Sequence, residues 1–184
     1  MRFDLNDRWT YKLQQLLGDS YDVVEEGLRS RTTDVEDPEK LDRNGLPYLR
    51  ACLETHEPVT FLVYMLGTND TKRQLNRSVE EISASVSRSI KRCHEYIESK
   101  NQQTKIILMA PPRLSLNFLP PDSEFDSSSD EKIYSLKKEF KKIAKEYNLI
   151  FLDLSDLRGS ENDGIHMTPK DNNEIANRLV DLIL

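Results

Sequence analysis

Residues 60–66 (Thr60, Phe61, Leu62, Val63, Tyr64, Met65 and Leu66) are apolar almost without interruption and run straight into Gly67, Thr68, Asn69 and Asp70. A strand that leaves one face in water alternates apolar with polar residues. A continuous apolar run needs cover on both faces, and that is the habit of a parallel strand sandwiched between helices. Residues 105–110 repeat the pattern and stop at Pro111 and Pro112, and residues 149–154 give a third example. Residues 21–25, centred on Val23 and Val24, predict a shorter fourth strand.

Helical periodicity fills the intervals. Trp9, Leu13, Leu16 and Leu17 share one face, with Gly18 as a stop; Leu46, Leu49, Cys52 and Leu53 mark a second helix, closed at His56, Glu57 and Pro58. Val79, Ile82, Val86, Ile90, Cys93 and Ile97 keep the three-and-four spacing of a long amphipathic helix. Residues 132–147 predict another helix. Thr168, Pro169 and Asp171 supply the cap, the first-turn proline and the first-turn acid of a last one. Strands alternating with helices predict an α/β fold with a parallel sheet covered on both faces. At 184 residues the chain is the size of one domain, spanning residues 1–184.

Composition narrows the partners. Lys and Arg number 26 against 32 Asp and Glu, a formal net charge of −6 without a long basic run, which argues against a nucleic-acid partner. The longest apolar run, about residues 59–66, is far short of a membrane span. The first residues are polar and lack the apolar core of a secretory signal. The two cysteines, Cys52 and Cys93, fall at apolar-periodic helical positions and are expected as buried free thiols. A reducing cytoplasm is the expected location.

In a parallel sheet, ligands gather at the carboxyl ends of the strands. The most polar, least periodic segments here follow strands: residues 27–33, 67–70 and 163–168. Asp163 stands three residues before His166, close enough for the carboxylate to accept the ring N–H, fix its tautomer and stabilise the imidazolium. By itself such a pair is as consistent with a solvated loop. Asn69 offers an amide to a developing oxyanion, and by itself it is as consistent with a turn asparagine.

Taken in order, the segments resemble the SGNH or GDSL-type serine esterases and acyl-hydrolases. Residues 23–33 resemble that family's second block, Gly67, Thr68, Asn69 and Asp70 its third, and Asp163, Gly164, Ile165 and His166 its fifth. The resemblance implies a flavodoxin-like three-layer α/β/α sandwich and hydrolysis of a small-molecule carboxylic ester by acyl transfer to serine. It implies His166 as general base, Asp163 as its orienting carboxylate, and Asn69 with backbone amides as the oxyanion hole. No metal or organic cofactor is implied.

Two departures stand beside the matches. The family's first block, a strand followed by Gly-Asp-Ser, lies before the helix that contains Trp9, and Met1, Arg2, Phe3 and Asp4 align inside the segment just after it. The nucleophilic serine and the first, central strand are therefore expected to be missing from this sequence through an upstream start or truncation. Gly18, Asp19 and Ser20 spell the motif but follow a helix and precede a predicted strand, the reverse of the order that presents a nucleophile. They are expected as a helix cap and turn. The family's oxyanion glycine aligns with Ser30, whose backbone N–H can serve if the loop does not require positive φ there. Loss of the central strand forces the flanking strands either to pair directly or to leave an open apolar edge, so a homo-oligomer is an expectation. A non-catalytic binding domain, or an enzyme using Ser20 or Ser30 as nucleophile, are the competing readings.

The remaining features are expected to be structural. Arg29 and Arg31 are read as solvated, and His56 and His94 are assigned no role. Residues 114–130 are read as a long irregular loop that either lines a site or is a floppy insertion. Its acids Asp122, Glu124, Asp126 and Asp130, with Glu131 following, lack the spacing of an EF-hand and are read as solvated.

Overall fold

A computed structural model of the chain describes residues 3–184; Met1 and Arg2 of the expected family junction lie outside the described residues. In chain order the elements are α1 (Trp9–Leu17), α2 (Tyr48–His56), β1 (Phe61–Tyr64), α3 (Val79–Ser99), β2 (Lys105–Ala110), α4 (Ser127–Glu146), β3 (Ile150–Asp153) and α5 (Pro169–Ile183). The sheet is parallel, in the order β1-β2-β3, with Phe61 opposite Lys105 and Ile107 opposite Ile150.

Alternation along β2 sorts the core. Ile106, Leu108 and Ala110 face a cluster built with Leu53 of α2, Ile82, Val86 and Ile90 of α3, and Leu136 and Phe140 of α4. Ile107 and Met109 point the other way, onto Leu13 and Leu17 of α1 and Ile175 and Leu179 of α5. Two helical layers therefore enclose the sheet, as the sequence requires, in a three-layer α/β/α sandwich. Among the described residues, no helix is long and apolar enough to cross a membrane.

Several expectations are corrected. Residues 21–25 run extended but join no sheet: Gln14 of α1 donates to the Tyr21 carbonyl at 2.8 Å and accepts from the Val23 N–H at 2.7 Å, taking the place of a neighbouring strand. The expected fourth strand is thus absent from the sheet, and β1 has an open edge among the described residues. That edge explains a second difference. Phe61, Leu62 and Val63 are only half-buried, although their sequence is that of a strand covered on both sides. The third difference concerns α4, which begins at Ser127, five residues before the expected start, because Asp126 and Ser129 form a reciprocal capping box.

The segment between β2 and α4 is an ordered arm. Leu114, Phe125 and Ile133 form a small core of their own, against which Leu119 and Ile165 pack. Asp122 and Glu131 are exposed, as expected, but Glu124 and Asp130 are held in ion pairs. Asp130 pairs with Arg113 and accepts from the Leu114 N–H at 2.9 Å, and Glu124 bonds Lys72 at 2.9 Å and Lys40 at 2.8 Å. Lys72 is 1% exposed and also holds Asp37 at 2.6 Å, so one buried ammonium ties three segments together.

Candidate active site

His166 and Asp163 sit in the loop between β3 and α5, at the carboxyl edge of the sheet. His166 Nδ1 lies 2.6 Å from Asp163 Oδ2, while Asp163 Oδ1 accepts the backbone N–H groups of Ile165 and His166, each at 2.8 Å. Burial pushes the Asp163 carboxyl up, but the bonds from the His166 ring and from these backbone amides outweigh it and hold the group below the usual carboxylate range. The imidazole is 54% exposed, and its Nε2 has no hydrogen-bond partner among the described residues. The pair is thus an oriented, solvent-accessible imidazole held by a carboxylate.

Close backbone packing holds this loop. Ser115, just beyond β2, donates its N–H to the Gly164 carbonyl at 2.8 Å and its hydroxyl to the Gly159 carbonyl at 2.6 Å. The Ser160 N–H reaches the His166 carbonyl at 2.8 Å. A Cβ on Gly159 would stand 2.0 Å from the Gly164 carbonyl oxygen, so only glycine allows the two stretches to touch.

Asn69 and Ser30 meet at the far side of the same edge. Asn69 opens a short 3₁₀ turn after β1, and its Nδ2 donates to the Arg31 carbonyl at 3.0 Å, so the amide braces the turn that contains Ser30. That turn is closed by the Arg31 N–H donating to the Leu28 carbonyl at 3.2 Å. Ser30 sits at φ 62°, the positive φ that a serine was expected to disfavour. A left-handed serine costs on the order of 1–2 kcal/mol, offset here by the bonds to Arg31 on either side of the turn. The Ser30 N–H has no partner among the described residues and remains a free donor. The loops after β1 and β3 stand two strands apart, about 10 Å across the sheet edge.

Beneath the Ser30 turn lies a buried network that the sequence reading missed. Asp70 accepts the Thr33 N–H at 3.0 Å and is bonded by the Thr33 hydroxyl and by Arg77; Arg77 continues to Asp34 at 3.1 Å and to Ser85. Burial pushes the Asp70 carboxyl up, against the pull of the Thr33 donors and the Arg77 guanidinium. Thr33 and Asp70 both belong to the segments singled out in the sequence, so the signal was present. What the sequence lacked was the means to join residues so far apart.

The serines occupy unexpected and expected places alike. Ser20 ends an exposed 3₁₀ turn that follows α1, with Gly18 at φ 61° capping the helix, as read from the sequence. No serine is hydrogen-bonded to His166 Nε2 among the described residues. Other residues read as idle are engaged. His56 Nε2 lies 2.6 Å from Glu26, Arg31 stacks over the Tyr48 ring at 4.8 Å, and Cys52 is half-buried rather than buried. Among the described residues, Glu26, Cys52 and His56 bring donors close enough together to hold a metal.

With this geometry in view, comparison with known proteins is informative. The model of the GDSL-like lipase/acylhydrolase family matches residues 2–171. Among solved structures, the chain is similar to Est24, a carbohydrate acetylesterase from Sinorhizobium meliloti, at 30% identity and a TM-score of 0.86 over 99% of this chain and 88% of that one. It is also similar to the aryl esterase of M. smegmatis, at 29% identity and a TM-score of 0.89 over 100% of this chain and 87% of that one. The acetyl xylan esterase AlAXEase, at 15% identity and a TM-score of 0.71 over 97% of this chain and 91% of that one, shares the fold. No curated protein matches the chain.

Proposed function

The chain belongs to the GDSL-like lipase/acylhydrolase family, and from that premise we propose that its site serves acyl transfer from a small-molecule carboxylic ester. The observation that carries the reading is the His166–Asp163 pair, with Nδ1 held at 2.6 Å and Nε2 open to solvent. In this reading Nε2 takes the proton of a serine hydroxyl as its oxygen attacks the ester carbonyl, then returns it to the departing alkoxide. Water repeats the exchange on the acyl-enzyme. Asp163 keeps the imidazole in the tautomer that leaves Nε2 free to accept. Asn69, through its amide, and Ser30, through its backbone N–H, stabilise the tetrahedral oxyanion. No metal or organic cofactor enters any step.

The nucleophile in this reading is not one of the serines of this sequence. Ser20 is on an exposed turn after a helix, and Ser30 stands in the turn that offers its N–H to the oxyanion.

The protein expressed from its own gene is expected to hydrolyse acetyl and aryl esters, test substrates chosen from the names of its structural neighbours. His166→Ala should lower kcat on the order of 10⁴-fold with little change in stability. Retention of most turnover overturns the assignment. Treatment of the 184-residue chain with a fluorophosphonate, followed by peptide mass spectrometry, is expected to give no serine adduct. An adduct on Ser20 or Ser30 that vanishes in His166→Ala places the nucleophile inside the chain. Saturable binding of ester without turnover by the protein expressed from its own gene favours a binding domain.

A further inference from the structure

Tyr48, Cys52 and His56 follow one another at four-residue spacing along α2 and so share one face of the helix. Glu26 reaches that face from the extended segment just before the Ser30 turn. Its Oε2 accepts from the Tyr48 hydroxyl at 2.6 Å, and its Oε1 lies 2.6 Å from His56 Nε2. Ligand atoms of Glu26, Cys52 and His56 all lie within 4.8 Å of one another, and all three residues are half-buried. Cys52 carries a free thiol.

The chemistry of this donor set is selective. Calcium and magnesium ask for oxygen alone, whereas a thiolate, an imidazole nitrogen and one carboxylate oxygen are the mixed ligands of Zn²⁺. Bonds of about 2.0–2.3 Å place tetrahedral ligands roughly 3.4–3.7 Å apart. The Glu26–His56 contact is shorter than that, and the three ligand atoms lie within 4.8 Å of one another, so closing the shell moves Glu26 and His56 apart. Arg31 lies beside the group, donating to the Glu26 backbone carbonyl at 2.6 Å. A Cys52 thiolate together with the Glu26 carboxylate supplies two negative charges, which match the two positive charges of the ion.

We propose that Glu26, Cys52 and His56 form a binding site for a borderline divalent cation of the Zn²⁺ class, with water as fourth ligand, that clamps the loop leading to Ser30 onto α2. Binding releases the thiol proton of Cys52 to solvent and displaces the hydrogen bond between His56 and Glu26. Gly27 follows Glu26 directly, and the turn from Leu28 to Arg31 follows that, so the ion fixes the root of the turn that presents the Ser30 N–H. The site stands on its own donors whether or not the chain turns over esters.

The test is metal binding by the full chain after chelator treatment and dialysis. Co²⁺ is expected to give a sulfur-to-cobalt charge-transfer band saturating at one ion per chain, which Zn²⁺ then abolishes by displacement. Cys52→Ala should remove the band, and His56→Gln should weaken Zn²⁺ binding about 10–100-fold, while Tyr48→Phe leaves the band in place. Zn²⁺ should also protect Cys52 of the unaltered chain from alkylation, which keeps the test decisive if a variant fails to fold. No thiolate band at saturating Co²⁺ in folded protein, or undiminished Zn²⁺ affinity in Cys52→Ala, overturns the site. None of these readouts depends on ester hydrolysis, so failure here and failure of the hydrolase reading are separate results.

Discussion

At residues 159–166 the chain keeps its shape through backbone contact: two carbonyls accept from Ser115, and Gly159 lies against Gly164 with no room for a Cβ. At residues 30–37, on the other side of the same sheet edge, it keeps its shape through buried charge. Asp70 and Arg77 hold Thr33 and Asp34, and Lys72 holds Asp37. The first device is sensitive to size. The second is indifferent to small changes of volume and sensitive to charge. A site assembled from both fails in two distinguishable ways, and mutation separates them.

The largest effect is expected at the charged side. Arg77→Met keeps volume but leaves Asp70 buried without its cation, and should cost about 3–5 kcal/mol in urea unfolding. A loss under about 1 kcal/mol means that the Thr33 bonds alone hold the turn. Next comes the backbone side, where Gly159→Ala sets a methyl 2.0 Å from a carbonyl oxygen and should cost about 2–3 kcal/mol. The control is Gly27→Ala, where a Cβ meets nothing within 4 Å and the change should stay within about 0.5 kcal/mol. Equal effects at the two glycines would dissolve the contrast.

A pH dependence sharpens the comparison further. Burial pushes the Glu124 carboxyl up, but bonds from Lys40, Lys72 and Gln74 win and bring it down to about 2. A carboxylate depressed in the folded state stabilises fully above its unfolded value near 4.5 and loses that contribution as pH falls toward the folded value. Allowing for its partial exposure, the group is worth about 2 kcal/mol. Urea midpoints should therefore drop between about pH 4.5 and pH 2 in the native chain, and by less in Glu124→Gln. Parallel curves for the two proteins would show that other carboxylates carry the acid response.

Much of this arrangement was legible before any coordinates. The continuous apolar run at residues 106–110 demanded cover on both faces and received it, since a β-strand with apolar residues at every position has no face to give to water. The cap at Thr168 fixed the start of α5, because a capping box is made by residues three apart. The placement of Asp163 beside His166 is of the same local kind. Residues 21–25 misled because strand propensity names a conformation, and membership of a sheet depends on a neighbour that only the whole fold can supply. Glu124 and Asp130 misled for a related reason: a charge looks solvated in sequence until a lysine or arginine from another segment is brought against it.

What the sequence alone determined is whatever short-range geometry decides: the alternation of strand and helix, the parallel sheet that follows from it, the helix caps, and a carboxylate three residues from an imidazole. What the tertiary structure decided is every contact across long loops: Asn69 on the Arg31 carbonyl, Asp70 beneath Thr33, Lys72 between Asp37 and Glu124, and Glu26 against the face of α2 that carries Cys52 and His56. Such contacts join segments whose separation along the chain carries no periodic signal, and their strength arises only when folding removes water from between the charges.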